Sequence, residues 1–152
     1  MIGTEEIQAR IPHRFPMLLV DEVAAVEPGR HLVARKTVSH AEACQIRPGA
    51  DPAYPVHLMI ESWLQAAALL MLWCEPCPDA RLGRVLLAGA LDDVTIVGHA
   101  GPGDVIEHQV RLVRVVADTA ILLGETRIGS RTVLEVGHFV AALRATSDLA
   151  PD

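Results

Sequence analysis

Between Val56 and Trp73 the chain reads VHLMIESWLQAAALLMLW, and this segment constrains the fold more than any other. Leu, Met and Ala are good helix formers at this density, and Pro55 precedes the run while Pro76 and Pro78 follow it. The sequence therefore predicts one long helix, ended by those two prolines. It is apolar nearly all round, and such a helix must be covered on most of its sides. Glu61 and Gln65 interrupt it and it is short for a bilayer span, so a buried helix is expected and no membrane partner.

The rest of the chain supplies the cover. LLVDEVAAVEPGRHLVARKTVS holds two β-rich runs separated by Pro28 and Gly29, a hairpin signal. From Arg84 onward, segments at about 84–97, 104–117, 119–128 and 131–144 are rich in Val, Ile, Leu and Thr. The breaks between them, GHAGPGD, AD and GS, suit tight turns in an antiparallel sheet. One buried helix with about six strands implies an α+β domain in which a curved antiparallel sheet wraps a long central helix. The reading is a single domain over 1–146 with a C-terminal tail at 147–152.

Composition narrows the function. Thirteen Lys and Arg against nineteen Asp and Glu give a net charge of −6, which offers nucleic acid no general attraction. Three cysteines, Cys44, Cys74 and Cys77, are too few for a secreted disulfide framework. MIGTEEIQAR carries acidic residues where an export signal would be basic and then apolar, so a cytoplasmic protein is expected. Cys74 and Cys77 have CxxC spacing, but a structural zinc needs two further ligands and a redox CxxC usually opens a helix. No metal or cofactor is expected.

The segment Ile11-Pro12-His13-Arg14-Phe15-Pro16-Met17-Leu18-Leu19-Val20-Asp21-Glu22-Val23 resembles the LPHRYPFLLVDRV signature of the FabZ-type (3R)-hydroxyacyl-acyl-carrier-protein dehydratases, which have the hotdog fold. Glu61-Ser62-Trp63-Leu64-Gln65-Ala66-Ala67 is similar to that family's EAMAQAA. Ala90-Leu91-Asp92-Asp93 and Gly101-Pro102-Gly103-Asp104 resemble its GIDKARF and VPGD elements. The resemblance implies a dimer of hotdog domains joined sheet to sheet. It also implies a substrate tethered through phosphopantetheine to acyl carrier protein, in fatty-acid or polyketide assembly, with the acyl chain in a tunnel along the subunit interface.

Dehydrating a β-hydroxyacyl thioester needs a base for the carbon beside the carbonyl, an acid for the departing hydroxyl and a donor for the thioester oxygen. Free N–H groups at the start of the buried helix, at Pro55-Val56, suit the third role. The resemblance assigns the acid to Glu61, whose place in an apolar helix would favour its protonated form. It also matches Gln65, one turn on, to the family's site glutamine.

The base is where the sequence departs. Counted back from Pro55, Gln45 to Pro55 lies without a gap over the family pattern QGHFPGRPVMP, and the catalytic His falls on Arg47. A guanidinium does not give up its proton in proteins, so an isolated homodimer is expected to be weak or inactive. Val56 also stands where the family has a small Gly at the helix start.

Three readings follow. The family builds each site across a dimer, so a heterodimer with a second, His-bearing hotdog protein can complete the site. Alternatively His57, four residues before Glu61 on the same helix face, is the base, with His40 a weaker candidate. The third reading is a hotdog acyl-thioesterase, or an inactive subunit that holds an acyl chain or carrier, with Arg47 on phosphopantetheine or a carboxylated substrate. His13 reads as a structural member of its turn, and His99 and His138 as turn and strand residues. Arg30, Arg35, Lys36 and Arg84 are candidates for a basic patch that receives the acidic carrier.

Overall fold

The structure is a computed structural model that describes residues 2–42, 52–75, 79 and 83–149. A short helix, α1 (Thr4–Gln8), leads to a hairpin of β1 (Glu22–Glu27) and β2 (His31–Thr37); the central helix α2 (Val56–Met71) follows. Four long strands complete the chain: β3 (Arg84–Ile96), β4 (Val105–Val116), β5 (Thr119–Ile128) and β6 (Arg131–Ala145), before a 3-10 turn at Thr146–Leu149. All pair antiparallel in one sheet of order β1-β2-β4-β5-β6-β3. This is the wrapped-helix α+β architecture that the sequence implies.

The hairpin turns where expected, with Gly29 at φ +74°, a backbone conformation that costs Gly nothing. The end of α2 differs from expectation. It stops at Met71, and Leu72 caps it through a backbone bond to Ala68, so the helix turns off before it reaches Pro76. No proline is needed there, because Leu72 leaves helical geometry at ψ 7°. α1 was not expected either, since TEEIQ buries only Ile7.

Strand bulges bend the sheet around α2. Register shifts between Leu112 and Arg114 in β4 and between Leu122 and Gly124 in β5 let these strands coil over the helix. Trp63, fully buried, fills the space beneath them, edge-on to Phe139 with ring centroids 6.2 Å apart. Its indole N–H donates to the Gln109 carbonyl at 3.3 Å. The backbone approach is closest at Gly124, where a Cβ would lie 1.9 Å from the Gln109 oxygen.

The GPGD element sets the start of α2. Asp104 accepts from the Gly101 amide at 2.8 Å, and Val38 and Gly103 exchange backbone bonds across the turn with Asp104 and Val38. The neighbouring Ala100 carbonyl takes the Tyr54 N–H at 2.7 Å, one residue before Pro55. No helix of the described residues is long and apolar enough to cross a membrane.

Candidate active site

Glu61 sits in the second turn of α2 with its side chain 32% exposed, at the margin of the core rather than deep within it. It faces the loop that carries the IPHRFPML motif. Gln65, one turn on and buried, joins the two. Its Nε2 donates to Glu61 Oε1 at 2.9 Å and to the Met17 carbonyl at 2.7 Å, while its Oε1 accepts the Leu19 N–H at 2.8 Å. Three bonds fix the amide's orientation, and the amide fixes one oxygen of Glu61. The other, Oε2, has no hydrogen bond among the described residues.

The imidazole beside this carboxyl is that of His13, with Nε2 3.5 Å from Glu61 Oε1. By sequence His13 is a turn residue; only the folded loop brings it to α2. His57 lies one turn before Glu61 as expected, but it is exposed and makes no hydrogen bond or ion pair among the described residues. His40 is exposed in the turn after β2. Pro55 stands immediately before the helix and Val56 opens it, both partly buried, and the first amides of α2 have no intrahelical acceptors. Arg47 lies outside the described residues, as do Cys44 and Cys77.

A second polar group lies behind the first. Ser62, next to Glu61 but on the inner face, donates to the Leu19 carbonyl. Its single proton is thereby used, so it accepts from His108 Nε2–H at 2.7 Å. His108 Nδ1 then accepts from the Thr126 hydroxyl at 2.8 Å. Both backbone groups of Leu19 are thus held by α2, and α2 is tied to β4 and β5. This network assigns His108 as the neutral Nε2–H tautomer.

Burial pushes the His108 imidazole down to about 3. The unfolded chain binds a proton there below about pH 6.5 and the folded chain does not, so the stability present above that pH is lost as pH falls from 6.5 toward 3. Between pH 7 and 5 the loss attributable to this group is about 2 kcal/mol, at a limiting slope of ~1.4 kcal/mol per pH unit. Urea unfolding across that range should show the wild type losing this much more stability than His108→Gln, which has nothing to protonate. Parallel losses in the two proteins would contradict the assignment.

The cations proposed to receive a carrier are engaged within the chain. Arg30 pairs with Glu27, Arg35 with Glu22 and Glu107, Lys36 with Glu42 and Arg84 with Glu75. They carry local charge balance, not a free basic patch.

A family model described as the FabA-like domain matches residues 11–136. The 3-hydroxyacyl-[acyl-carrier-protein] dehydratase FabZ of Clostridium kluyveri is 32% identical over 136 residues, 88% of this chain and 90% of that protein. FabZ of Enterococcus faecalis is 35% identical over 133 residues, 86% of this chain and 90% of its own. Among solved structures, the dehydratase heterocomplex ApeI:P from Xenorhabdus doucetiae superposes with a TM-score of 0.77 at 19% identity, over 94% of this chain and 93% of that one. The fluoroacetyl-CoA thioesterase FlK superposes with a TM-score of 0.63 at 14% identity, over 82% of this chain and 93% of its own. These two establish likeness of fold.

Proposed function

Because the chain belongs to the FabA-like family, we propose that it is a 3-hydroxyacyl-acyl-carrier-protein dehydratase subunit of fatty-acid or polyketide synthesis. The observation that carries this reading is the Glu61 carboxyl, with one oxygen held by Gln65 and the other without a hydrogen bond among the described residues, one turn from the helix start. A carboxyl oxygen without a partner can protonate a departing hydroxyl, and the Val56 amide at the helix start can take charge on the thioester oxygen. Identity to FabZ over most of both chains supports the same chemistry.

The substrate is an acyl chain on the phosphopantetheine of an acyl carrier protein, in the cytoplasm. The β3 edge pairs with no other strand among the described residues, and Leu87 and Ile96 are exposed along that strand. Joining it to a second hotdog domain gives the dimer and an interface tunnel. With Arg47 at the family's His position, the base comes either from a His-bearing partner or from an imidazole of this chain, for which His57 is the candidate read from sequence. Arg47, with Pro55 and Val56, would then bind the phosphopantetheine arm. The heterocomplex neighbour shares this fold.

Product analysis tests the reading. A (3R)-hydroxyacyl carrier protein incubated with the chain, alone and co-expressed with a His-bearing hotdog protein, should lose one water and stay on the carrier. Release of free carrier with the hydroxyl intact would instead identify a thioesterase.

A further inference from the structure

We propose that His13 is the base that works with Glu61, so that one chain carries a complete acid–base pair for the dehydration. The inference rests on the dehydratase reading and supplies the group that Arg47 removes. His13 Nε2 lies 3.5 Å from Glu61 Oε1, and the two side chains are 31% and 32% exposed, open to a substrate while joined to the buried Gln65. His57 has no such contact. A weak or inactive homodimer is expected from Arg47 at the family's His position; the fold of residues 11–19 brings a different imidazole to Glu61.

The loop holds His13 in place. Arg14 donates to the carbonyls of Gln8, Ile11 and His13 itself, at 2.9, 2.8 and 2.7 Å, while Gln65 grips Met17 and Leu19 on the far side. His13 Nδ1 is buried and has no hydrogen-bond partner among the described residues, which leaves Nε2 as the nitrogen that faces the carboxyl. With the basic lone pair on Nε2, the ring proton sits on Nδ1.

The contact distance suits the chemistry. The Nε2 lone pair takes the proton from the α-carbon, the C–H electrons form the Cα=Cβ bond, and the Cβ–O bond breaks with its electrons leaving on oxygen. That oxygen takes the Glu61 carboxyl proton and departs as water. The pair is then imidazolium and carboxylate, and one proton crossing from Nε2 to the carboxylate restores it without help from solvent. An acid and a base side by side address a hydrogen and a hydroxyl on the same face of adjacent carbons, so elimination is syn.

The test is turnover of a (3R)-hydroxyacyl carrier protein by the purified chain. The wild type alone forms the enoyl product; His13→Gln, which keeps an N–H but has no basic nitrogen, loses at least about 100-fold in kcat with KM within about twofold. His13→Ala regains turnover when imidazole is added, a rescue that a structural role cannot give, and His138→Gln, exposed on β6, turns over as wild type. Wild-type turnover by His13→Gln, or collapse of turnover in His57→Gln with His13→Gln intact, would overturn the proposal. Turnover only after a His-bearing hotdog partner is added overturns it too but leaves the dehydratase reading standing. No dehydration under either condition ends both.

Discussion

Glu61→Gln should lower the rate of enoyl product formation by at least about a thousandfold while the protein keeps its thermal midpoint. A general acid in the transition state contributes about 10²- to 10⁴-fold, and here the same group also receives the returning proton, which argues for the upper part of that range. The fold should survive, because a Gln side chain has the same length and its carbonyl can still accept from Gln65 Nε2, the bond made by Glu61 Oε1 at 2.9 Å. The exchange leaves no buried charge, since this side chain is one-third exposed. Initial rates with thermal melts check it. A variant retaining more than a tenth of wild-type turnover would mean that another group protonates the hydroxyl.

Gly124→Ala should cost the most stability of any single methyl addition considered. The added Cβ would lie 1.9 Å from the Gln109 carbonyl oxygen and 3.2 Å from the Trp63 ring. The first of these atoms is backbone in the paired strand β4, so no rotamer change relieves the overlap. Either the β4–β5 bulge opens or Trp63 shifts and weakens its bond to Gln109. Overpacking costs about 1–3 kcal/mol where side chains can yield, so a loss of at least about 3 kcal/mol is expected. Gly89→Ala is the control, because its Cβ would meet the Val140 oxygen at 3.4 Å, an ordinary contact. Urea unfolding of the two should differ by more than about 2 kcal/mol, and equal midpoints would mean the sheet is not packed as described.

What sequence could convey depended on the range of the interaction. The period of apolar residues located α2 and the six strands, because that signal is local and strong. The exit from α2 was misjudged because prolines mark where a helix cannot continue, whereas Leu72 shows where this one stops. Glu61 and Gln65 were legible through their motif, and their shared face followed from one turn of spacing. His13 was not. Its partner is 48 positions away, and nothing in a PHR turn announces that the loop folds back onto the helix. The Ser62–His108 bond spans 46 residues and Thr126 another 18, so this group was equally silent. Each of its members looks like an ordinary helix or strand residue until the sheet wraps.

The charges carry a similar lesson. Arg30, Arg35, Lys36 and Arg84 read as a basic patch when counted, yet each faces a carboxylate once folded. With a net charge of −6 and these four cations paired, the exposed arginines without an ion pair among the described residues include Arg111, Arg114 and Arg131, on β4 and β6. A second subunit is another source of positive surface for an acidic carrier.

The central claim is reversible loss of water across the α- and β-carbons of the thioester, with Glu61 as the acid that serves the β-oxygen. It is tested most directly in the reverse direction, by incubating an enoyl carrier protein with the chain in deuterium oxide and reading the product by mass and NMR. The account predicts a 3-hydroxyacyl carrier protein with one deuterium on the α-carbon, formed by the wild type and not by Glu61→Gln. Free enoic acid, or a carrier returned with its enoyl group unchanged both alone and beside a His-bearing hotdog partner, would contradict it.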